Sequence, residues 1–397
     1  MKKSFILLLS SAIFISASAL GQDQEPSVGG FNIGFHNYGI SFGNSSIHRG
    51  IRFNWSDDGI EEIHGINFTL WKPANDLSGT INGIAIGIVG PAADNIDGMS
   101  LGGLAVITRN DLNGISLGGL AIVSSGAVTG LNFGGLAIVG KENLTGINLA
   151  GLACVSEGSI SGFSYATAAL VGKRDVWGLN AGGLAIVSEG TVTGMNIGGL
   201  AIVGKDAIKG FNVGGLALVS EGPVTGFNFG GLAVVGKENI HGINFGGLAL
   251  VSPEGTIGIV NVAGLAVVGL DGIRGVTVAG VGIVSSRDII GLNLTLGDLR
   301  IEGSSEEGSI KGISFGGYRI KAREITGINM SVLMTQAHDA VGLMTGVYNR
   351  VTGTQSGVAI GIFNHATELF GLQIGVLNYA ENNPKFLRLL PFLNLHL

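Results

Sequence analysis

A glycine recurs at every sixteenth position through the middle of this 397-residue chain. Ten of these glycines follow one another without a gap: Gly98, Gly114, Gly130, Gly146, Gly162, Gly178, Gly194, Gly210, Gly226 and Gly242. Leucine recurs in phase with them at Leu104, Leu120, Leu136, Leu152, Leu184, Leu200, Leu216, Leu232 and Leu248. A fixed period of this length means that one small structural unit is repeated against its neighbours. The repeat unit, rather than a set of conventional domains, therefore determines what the chain can fold into.

Each repeat is typical of β-strand and not of helix. From Gly130 the consensus is Gly-Leu-Asn-Phe-Gly-Gly-Leu-Ala-Ile-Val, and a short connector completes the repeat. Three glycines in ten positions would cost a helix about 1 kcal/mol each, and the β-branched residues favour strands. One repeat is degenerate, with Ala166-Thr167-Ala168 in place of Gly-Gly-Leu. The pattern predicts an all-β fold.

The connectors between repeats alternate between two chemistries. Gly-Lys-Glu or a close relative stands at 140–142, 172–174, 204–206 and 236–238, and Ser-Glu-Gly stands at 156–158, 188–190 and 220–222. The full period therefore spans two repeats. Two connectors in strict alternation are expected at the two ends of an up-and-down strand pair, and Glu-Gly suits a two-residue turn. This favours an antiparallel meander of 16-residue repeats, most regular over about 98–292.

The side chains of a repeat can be sorted onto two faces. A bulge at Gly134-Gly135 would keep the alternation in phase through the double glycine. The large apolar side chains then share one face: Leu131, Phe133, Leu136 and Ile138. The small or mildly polar residues share the other: Gly130, Asn132 and Ala137. We expect the asparagines to form a hydrogen-bonded ladder along the sheet.

Residues 1–21 have the pattern of a secretory signal peptide. Met1-Lys2-Lys3 is cationic, residues 5–15 are apolar, and Ala17-Ser18-Ala19 offers a small-residue cleavage site. The apolar run is too short for a membrane anchor, and polar residues follow it at once. We therefore predict an exported protein whose residues 22–397 form a single repeat-built β domain. The polar stretch 304–308 is interpreted as a loop within that domain.

The strand length favours an outer-membrane-type β-barrel. A strand of about 14 residues can cross an outer membrane when tilted, and residues 392–397 alternate like a closing strand. A thin aromatic content of 7% and a wide uncharged lumen speak against the barrel.

The alternative architecture is a two-sided β-solenoid with two repeats in each coil and Leu, Phe and Ile inside. It would stack four lysines about 4.8 Å apart, at a small electrostatic cost. These lysines are Lys141, Lys173, Lys205 and Lys237.

Two motifs resemble catalytic or ligand sites without the context that their chemistry requires. A phosphate-loop pattern ends at Lys141, Lys205 and Lys237, but an acidic residue follows each lysine where a P-loop needs Ser or Thr. The hydrolase pattern G-x-S-x-G surrounds Ser100, Ser116 and Ser314, at the mid-strand position where other repeats carry asparagine. A nucleophile elbow requires a strand-to-helix turn instead.

Other candidate residues also fit ordinary repeat positions. The seven histidines share no metal-ligand spacing: His36, His48, His64, His241, His338, His365 and His396. Cys154 occupies the place of Ile138 and is expected to be a small core residue, and a single cysteine excludes a disulfide framework. The Asn-x-Ser/Thr sites at Asn67, Asn143 and Asn293 are repeat positions, and Trp177 replaces a threonine. We predict no catalytic, cofactor-binding or metal site, and therefore no enzyme.

Charge excludes another class of protein. Only 13% of the residues are charged, and 22 basic against 28 acidic residues give a net charge of −6. A nucleic-acid-binding protein would carry a basic stripe or patch. We expect no nucleic-acid partner.

The C-terminal repeats resemble a known group of proteins. Residues 357–364 read Gly-Val-Ala-Ile-Gly-Ile-Phe-Asn, residues 371–384 repeat the pattern, and the chain ends in Leu-Pro-Phe-Leu-Asn-Leu-His-Leu. These segments resemble the glycine-rich surface-repeat proteins of leptospires and Bacteroidetes. The resemblance implies an exported envelope or surface protein without an assigned biochemical role. Many leptospiral relatives are lipoproteins, whereas this chain has no cysteine near its cleavage site.

The sequence therefore favours a non-enzymatic, exported cell-envelope protein. In this interpretation it is inserted in the outer membrane or associated with it, with outer-membrane lipid as its partner. The alternative is a soluble β-solenoid at the cell surface or in the periplasm that acts as a binding or structural module. A protein or glycan partner is left open.

Overall fold

The computed structural model describes residues 30–35, 37–302 and 308–396. The predicted signal peptide 1–21, His36, and residues 304–307 of the predicted loop lie outside the described residues. The regular elements of the described residues are β-strands, which confirms the all-β prediction. They fall into two compact units, an N-terminal unit that ends at Ala166 and a C-terminal unit that begins at Thr167.

The strands of the N-terminal unit are long and short in turn over most of its length. They are β1 Gly30–Phe35, β2 Tyr38–Gly43, β3 Ile47–Ser56, β4 Glu62–Trp71, β5 Thr80–Gly87, β6 Ala92–Ala93, β7 Asn95–Gly102, β8 Ala105–Thr108, β9 Leu112–Gly118, β10 Ala121–Ser124, β11 Val128–Gly134, β12 Ala137–Gly140, β13 Leu144–Ala150, β14 Ala153–Ser156 and β15 Ile160–Ala166.

In the C-terminal unit long and short strands again alternate. They are β16 Ala169–Gly172, β17 Val176–Gly182, β18 Ala185–Ser188, β19 Thr191–Gly198, β20 Ala201–Gly204, β21 Ala207–Gly214, β22 Ala217–Ser220, β23 Val224–Gly230, β24 Ala233–Gly236, β25 Ile240–Gly246, β26 Ala249–Ser252, β27 Thr256–Ala263, β28 Ala266–Gly269, β29 Gly272–Ala279, β30 Gly282–Ser285, β31 Ile289–Thr295, β32 Asp298–Ile301, β33 Ser309–Gly316, β34 Arg319–Lys321, β35 Glu324–Ser331, β36 Met334–Ala337, β37 Asp339–Thr345, β38 Tyr348–Ala380 and β39 Leu389–His396.

Neighbouring strands are parallel, and each regular strand pairs with the strand two places further along the chain. In β11 and β13, Gly130 lies opposite Gly146, and in β12 and β14, Ile138 lies opposite Cys154. One long strand and one short strand thus complete a coil that holds a single repeat, and successive coils stack as a β-solenoid. Antiparallel pairing occurs between β1 and β2 and between β38 and β39.

The prediction of an up-and-down antiparallel meander closed as a β-barrel is therefore wrong. The alternative, a two-sided solenoid, is correct, but its coil holds one repeat and not two. Each long strand is followed by a sharp corner, and the next short strand runs on the opposite side of the coil. These two successive strands therefore cannot pair with each other. The hydrogen-bonding partner of each strand is its equivalent one coil away, which runs in the same direction.

Charge explains why the sequence period is twice the coil. Gly140 lies opposite Ser156, so that Lys141 is next to Glu157 in the stack of the N-terminal unit. In the C-terminal unit the same connector position alternates in sign through Lys173, Glu189, Lys205, Glu221, Lys237 and Glu254. Adjacent coils thus bring opposite charges to about 4.8 Å, whereas equal charges are about 9.6 Å apart. The ladder of adjacent lysines that was expected to disfavour a solenoid does not form.

The interior of each coil is narrow. In the coil that begins at Val128, the buried inward positions are Val128, Asn132, Gly134, Ile138 and Gly140. A Cβ atom on Gly134 would overlap the carbonyl oxygen of Ala137 across the corner. Two apolar side chains and one amide thus fill the space between the two sides of the coil.

The large apolar residues are distributed differently from the prediction. Leu131, Phe133 and Leu136 are 38%, 37% and 47% exposed, whereas Ile138 is fully buried. The predicted common face of these four residues is therefore wrong for Ile138, and Leu131, Phe133 and Leu136 do not point inward as the solenoid alternative supposed. The interior is already filled by the side chains at the Val128, Asn132 and Ile138 positions, where leucine also occurs, as in the fully buried Leu144 and Leu218.

A ladder of buried amides runs through the core, as predicted. Asn196 Nδ2 donates to Asn212 Oδ1 over 2.9 Å, and Asn212 Nδ2 donates to Asn228 Oδ1 over 3.0 Å. The N-terminal unit has the same contact between Asn132 and Asn148, at 3.0 Å. Because a buried amide without a partner is costly, each coil depends on the next one for its hydrogen bonds.

The glycine before Leu131, inside the long strand, is required by the backbone. Gly210 has a φ of 103°, and a Cβ atom there would overlap the carbonyl oxygen of Gly194 in the preceding coil. The fold imposes this conformation even where glycine is missing, since Ile259 lies opposite Gly242 with a φ of 78°. This explains why the 16-residue period is most visible in glycine.

We expect Gly210→Ala to lower the free energy of unfolding by about 2–4 kcal/mol, because alanine disfavours positive φ and its Cβ atom forces two coils apart. Gly282→Ala is the matched control. Gly282 lies opposite Ala266, and a Cβ atom there would be 3.5 Å from Asp298 O, an ordinary contact. Urea unfolding followed by circular dichroism measures both. Equal stability of the two variants would contradict the proposed role of the positive-φ glycine in the long strand.

Candidate binding surface

Because the coils are in register, each outward position forms a row of side chains along the solenoid. We name the rows that contain the equivalents of Leu131, Phe133 and Leu136 row A, row B and row C. In the N-terminal unit row A is Ile40, Ile51, Ile66, Ile84, Met99, Ile115, Leu131, Ile147 and Phe163. Row B is Phe42, Phe53, Phe68, Ile86, Leu101, Leu117, Phe133, Leu149 and Tyr165. Row C is Leu104, Leu120, Leu136 and Leu152.

The C-terminal unit repeats the three rows. Row A is Leu179, Met195, Phe211, Phe227, Ile243, Val260, Val276, Leu292, Ile313, Ile328, Leu343 and Val358. Row B is Ala181, Ile197, Val213, Phe229, Phe245, Val262, Val278, Leu294, Phe315 and Met330. Row C is Leu184, Leu200, Leu216, Leu232, Leu248, Leu265 and Val281.

The rows are open to solvent and ordered by stacking. Leu200, Leu216 and Leu232 are 47%, 45% and 46% exposed. The rings of Phe211 and Phe227 stack with their centroids 4.8 Å apart. Monomeric proteins seldom expose a continuous apolar patch larger than a few hundred Å². Rows A, B and C are therefore a candidate binding surface.

A groove follows row B in the N-terminal unit. Its volume is about 870 Å³, and its side is formed by Ile86, Leu101, Leu117, Phe133, Leu149 and Tyr165. Its floor is formed by the double glycines of successive coils, such as Gly134-Gly135. A Cβ atom on Gly135 would overlap the carbonyl oxygen of Gly119, so the floor consists of glycine for a backbone reason. This size lies in the range of small-molecule pockets, and its lining carries no charged residue.

A polar cluster replaces the asparagine ladder in the first coils. Arg52 and Asn67 occupy the ladder position, and Arg52 Nη1 donates to Asp57 Oδ1 over 3.0 Å and to Asn67 Oδ1 over 2.8 Å. Burial lowers the pKa of the Arg52 guanidinium, and the charge of Asp57 opposes this shift. Asp57 Oδ2 also accepts from the backbone N–H of Ala92 over 3.2 Å. The ion pair is fully enclosed, so it holds the first coils together and offers no surface to a substrate.

The serines of the G-x-S-x-G patterns are in the core. Ser100, Ser116 and Ser314 are buried, and Ser116 lies opposite Asn132 in the ladder row. A substrate in solution cannot reach them. Lys141, at the end of the phosphate-loop pattern, is followed by β13 and not by a helix, so the feature that holds phosphate in a P-loop is missing there.

The other candidate residues are dispersed. Asn67 and Asn293 are buried, whereas Asn143 lies in a connector and accepts the backbone N–H of Ser159 over 2.9 Å. Trp177 is 54% exposed beside row A. In residues 30–35, 37–302 and 308–396 no group of three or more His, Cys, Asp or Glu side chains is placed to hold a metal ion. The described part of the chain also has no helix suited to crossing a membrane.

Sequence reasoning missed that the largest apolar residues form the surface. The signal was available in the order Leu131-Asn132-Phe133, because alternation puts asparagine on the side opposite to both apolar neighbours. Which side of the strand faces the core could not be decided without the width of the interior, and that width depends on the parallel 16-residue coil.

Comparison of the chain with models of known protein families, with curated proteins and with solved structures finds no match. The resemblance to bacterial surface-repeat proteins therefore stays a prediction from residues 357–364, 371–384 and the terminal segment.

We expect Cys154 to be unreactive in the folded protein. It is fully buried opposite Ile138, as predicted for a core residue, and burial raises the pKa of its thiol to about 12. At about pH 8 only about one thiol in ten thousand is then ionised, and the thiolate is the reactive form. Titration with a chromogenic disulfide reagent should give no signal from the native protein and one thiol per chain in guanidinium chloride.

The matched control places a cysteine two positions away, on the outside. Leu152 is exposed in row C, so Leu152→Cys should react within the mixing time under the same native conditions. Rapid native reaction of the unmodified protein would contradict the burial of Cys154.

Proposed function

We propose that the protein is a non-enzymatic, exported β-solenoid of the cell envelope that acts as a binding module. Rows A, B and C are its binding surface. The observation that supports this proposal is the continuous exposure of large apolar side chains on every regular coil of both units. The asparagines that recur on the long strands are buried in the amide ladder, where a substrate in solution cannot reach them.

The energy available to such a surface is considerable. Covering one half-exposed leucine releases about 1 kcal/mol, since full burial of such a side chain is worth about 1.5–3 kcal/mol. Most regular coils offer two or three large apolar side chains in these rows. A partner that covers four or five coils would therefore gain enough to offset the loss of translational and rotational freedom on association.

The distribution of charge supports a one-sided orientation. Most charged residues of the regular coils lie in the connectors, for example Lys237 and Glu254, whose charged atoms are 3.4 Å apart. The connector edge is thus hydrated while rows A to C are available for contact. A module with a charged connector edge and exposed apolar rows fits the predicted location at the cell surface or in the periplasm.

The binding proposal is tested with the full chain on octyl-agarose and with the neutral dye Nile red. We expect retention on the resin and a saturable rise in dye fluorescence. Leu200→Ser, Leu216→Ser and Leu232→Ser introduced together should weaken dye binding at least about tenfold, because three adjacent exposed leucines of row C are removed.

The control variant carries methionine at the same three positions. Methionine keeps the apolar character and the approximate volume, so its binding should equal that of the unmodified chain within about twofold. Circular dichroism verifies that all three proteins are folded. If the serine variant binds as well as the methionine variant, rows A to C are not the binding surface.

Export is tested separately. When the gene is expressed with its own N-terminus in a Gram-negative host, we expect intact mass spectrometry of the envelope fraction to show a chain without residues 1–21. Replacing Leu8 and Leu9 by arginine should keep the uncleaved chain in the cytoplasm, because the apolar run is interrupted. Replacing Gln22 and Gln24 by serine, just after this segment, should leave processing unchanged. Recovery of the unmodified chain uncleaved in the cytoplasm would contradict export.

A further inference from the structure

The charged side chains of the C-terminal unit are not distributed evenly. Between residues 176 and 296 two charged side chains lie in the strands proper, away from the connector positions, and both are cations: Lys209 in β21 and Arg274 in β29. The acidic residues of this segment lie in the connectors. The face of the long strands therefore carries positive charge without an acidic counterpart on the same strands.

The cations occupy one row beside row A. Lys209 lies two positions before Phe211, and Arg274 lies two positions before Val276. The register places Trp177, His241 and Lys311 at the same position of other coils, with uncharged residues such as Thr193, Thr225 and Ile290 in the coils between them. We name five residues of this position row K: Trp177, Lys209, His241, Arg274 and Lys311.

The cations of row K are accessible. Its three cations are exposed, and none of them is within ion-pair distance of a described carboxylate: Lys209, Arg274 and Lys311. Arg274 and Lys311 are two coils apart, or about 10 Å. Trp177 is exposed at one end of the row. An unpaired cation next to an apolar row is suited to an anionic group that is itself attached to apolar material.

Asp288, in the connector before β31, does not neutralise the row. Its Oδ1 accepts the backbone N–H of Ser309 over 3.0 Å and the hydroxyl of Ser309 over 2.6 Å. The hydroxyl hydrogen bond is the largest reason why the pKa of Asp288 is lowered, and the charges of Lys311 and Arg274 contribute less. Asp288 forms no ion pair with Arg274 or Lys311, and its one negative charge leaves a net positive charge at these two cations. They are therefore available to an anion from outside.

We propose that this face of the C-terminal unit lies on the surface of an anionic phospholipid bilayer. Rows A, B and C enter the outer part of the acyl layer, and the cations of row K meet lipid phosphates at its boundary. The eight row A positions from Leu179 to Leu292 extend about 34 Å, so several headgroups lie under one row. This inference rests on the proposed function, because it names the partner of the same binding surface.

The chemistry of the row matches the interface between lipid and water. Long Lys and Arg side chains can keep their alkyl stems on apolar material while the charged ends reach the phosphates. Tryptophan is enriched at the same depth because its ring is amphipathic. Each cation near an anionic membrane contributes about a fivefold increase in affinity.

A second copy of the chain fits the charges less well. Two faces packed with their solenoid axes antiparallel bring row K of one copy onto row K of the other, where the cations repel each other. With parallel axes, row K of each copy lies on the row C side of the other, where the cations face leucines such as Leu200 and Leu232. A bilayer offers both the apolar layer and the negative charge.

The test is flotation of the full chain with vesicles. One set is pure phosphatidylcholine, and the other contains about one quarter phosphatidylglycerol. We expect the protein to bind the anionic vesicles at least about tenfold more strongly, and we expect added salt to remove this difference by screening.

Two variants separate row K from the total charge. Lys209→Gln with Arg274→Gln should weaken binding to the anionic vesicles about 25-fold and leave binding to the neutral vesicles unchanged. Lys205→Gln with Arg287→Gln removes the same total charge from connectors. Lys205 lies four positions before the row K position of its coil and Arg287 lies three positions before it, which is about 10 Å or more and exceeds the screening length of about 8 Å in physiological salt. This control should bind within about threefold of the unmodified chain. Circular dichroism verifies the fold of both variants.

Several outcomes would overturn the inference. Equal binding to both kinds of vesicle, or equal effects of the two variants, would remove row K from recognition. A chain that ignores vesicles but forms a dimer in light scattering, which the serine variant of row C breaks, would replace the bilayer by a second copy and leave the proposed binding function intact. A chain that binds neither vesicles nor Nile red would refute the binding function as well.

Discussion

The fold depends on the in-register hydrogen bonding of one 16-residue coil to the next. Because neighbouring strands are parallel and unshifted, each residue lies beside the equivalent residue of the adjacent coil, as Gly130 lies beside Gly146. At the corners this leaves no space for a Cβ atom, so glycine is required there. In the interior it joins asparagine to asparagine, as between Asn196 and Asn212. The glycine content and the amide ladder are thus two results of a single stacking rule.

Much of this could be predicted from the residues, and the rest could not for a physical reason. The repeat, the strands, the ladder and the burial of Cys154 follow from local pattern and propensity. The direction of the strands does not follow from them. Alternating connectors are expected at the two ends of an antiparallel meander, and they are equally expected along one edge of a parallel solenoid, where opposite charges stack. Only the adjacency of Lys141 and Glu157 distinguishes the meander from the solenoid, and it is a long-range contact.

The candidate surface was hidden by the same ambiguity. Alternation showed that Leu131 and Phe133 lie on the side opposite to Asn132, but hydrophobicity alone assigns the larger residues to the core. The 16-residue coil reverses this assignment, since the side chains at the Val128, Asn132 and Ile138 positions already fill the space between its two sides. A core of Val128, Asn132 and Ile138 is sufficient when every coil is also held by its neighbours. The bulky residues are then left for contacts outside the coil.

The alternation of Lys205, Glu221 and Lys237 along the connector edge limits how such a chain can change in length. Duplication or deletion of a single coil would preserve the backbone register, the corner glycines and the amide ladder, yet it would place two lysines or two glutamates side by side. Gain or loss of two coils at once avoids this repulsion. Evolution by slippage of the coding sequence should therefore proceed in steps of paired coils, and related chains should differ by an even number of repeats in their regular segment.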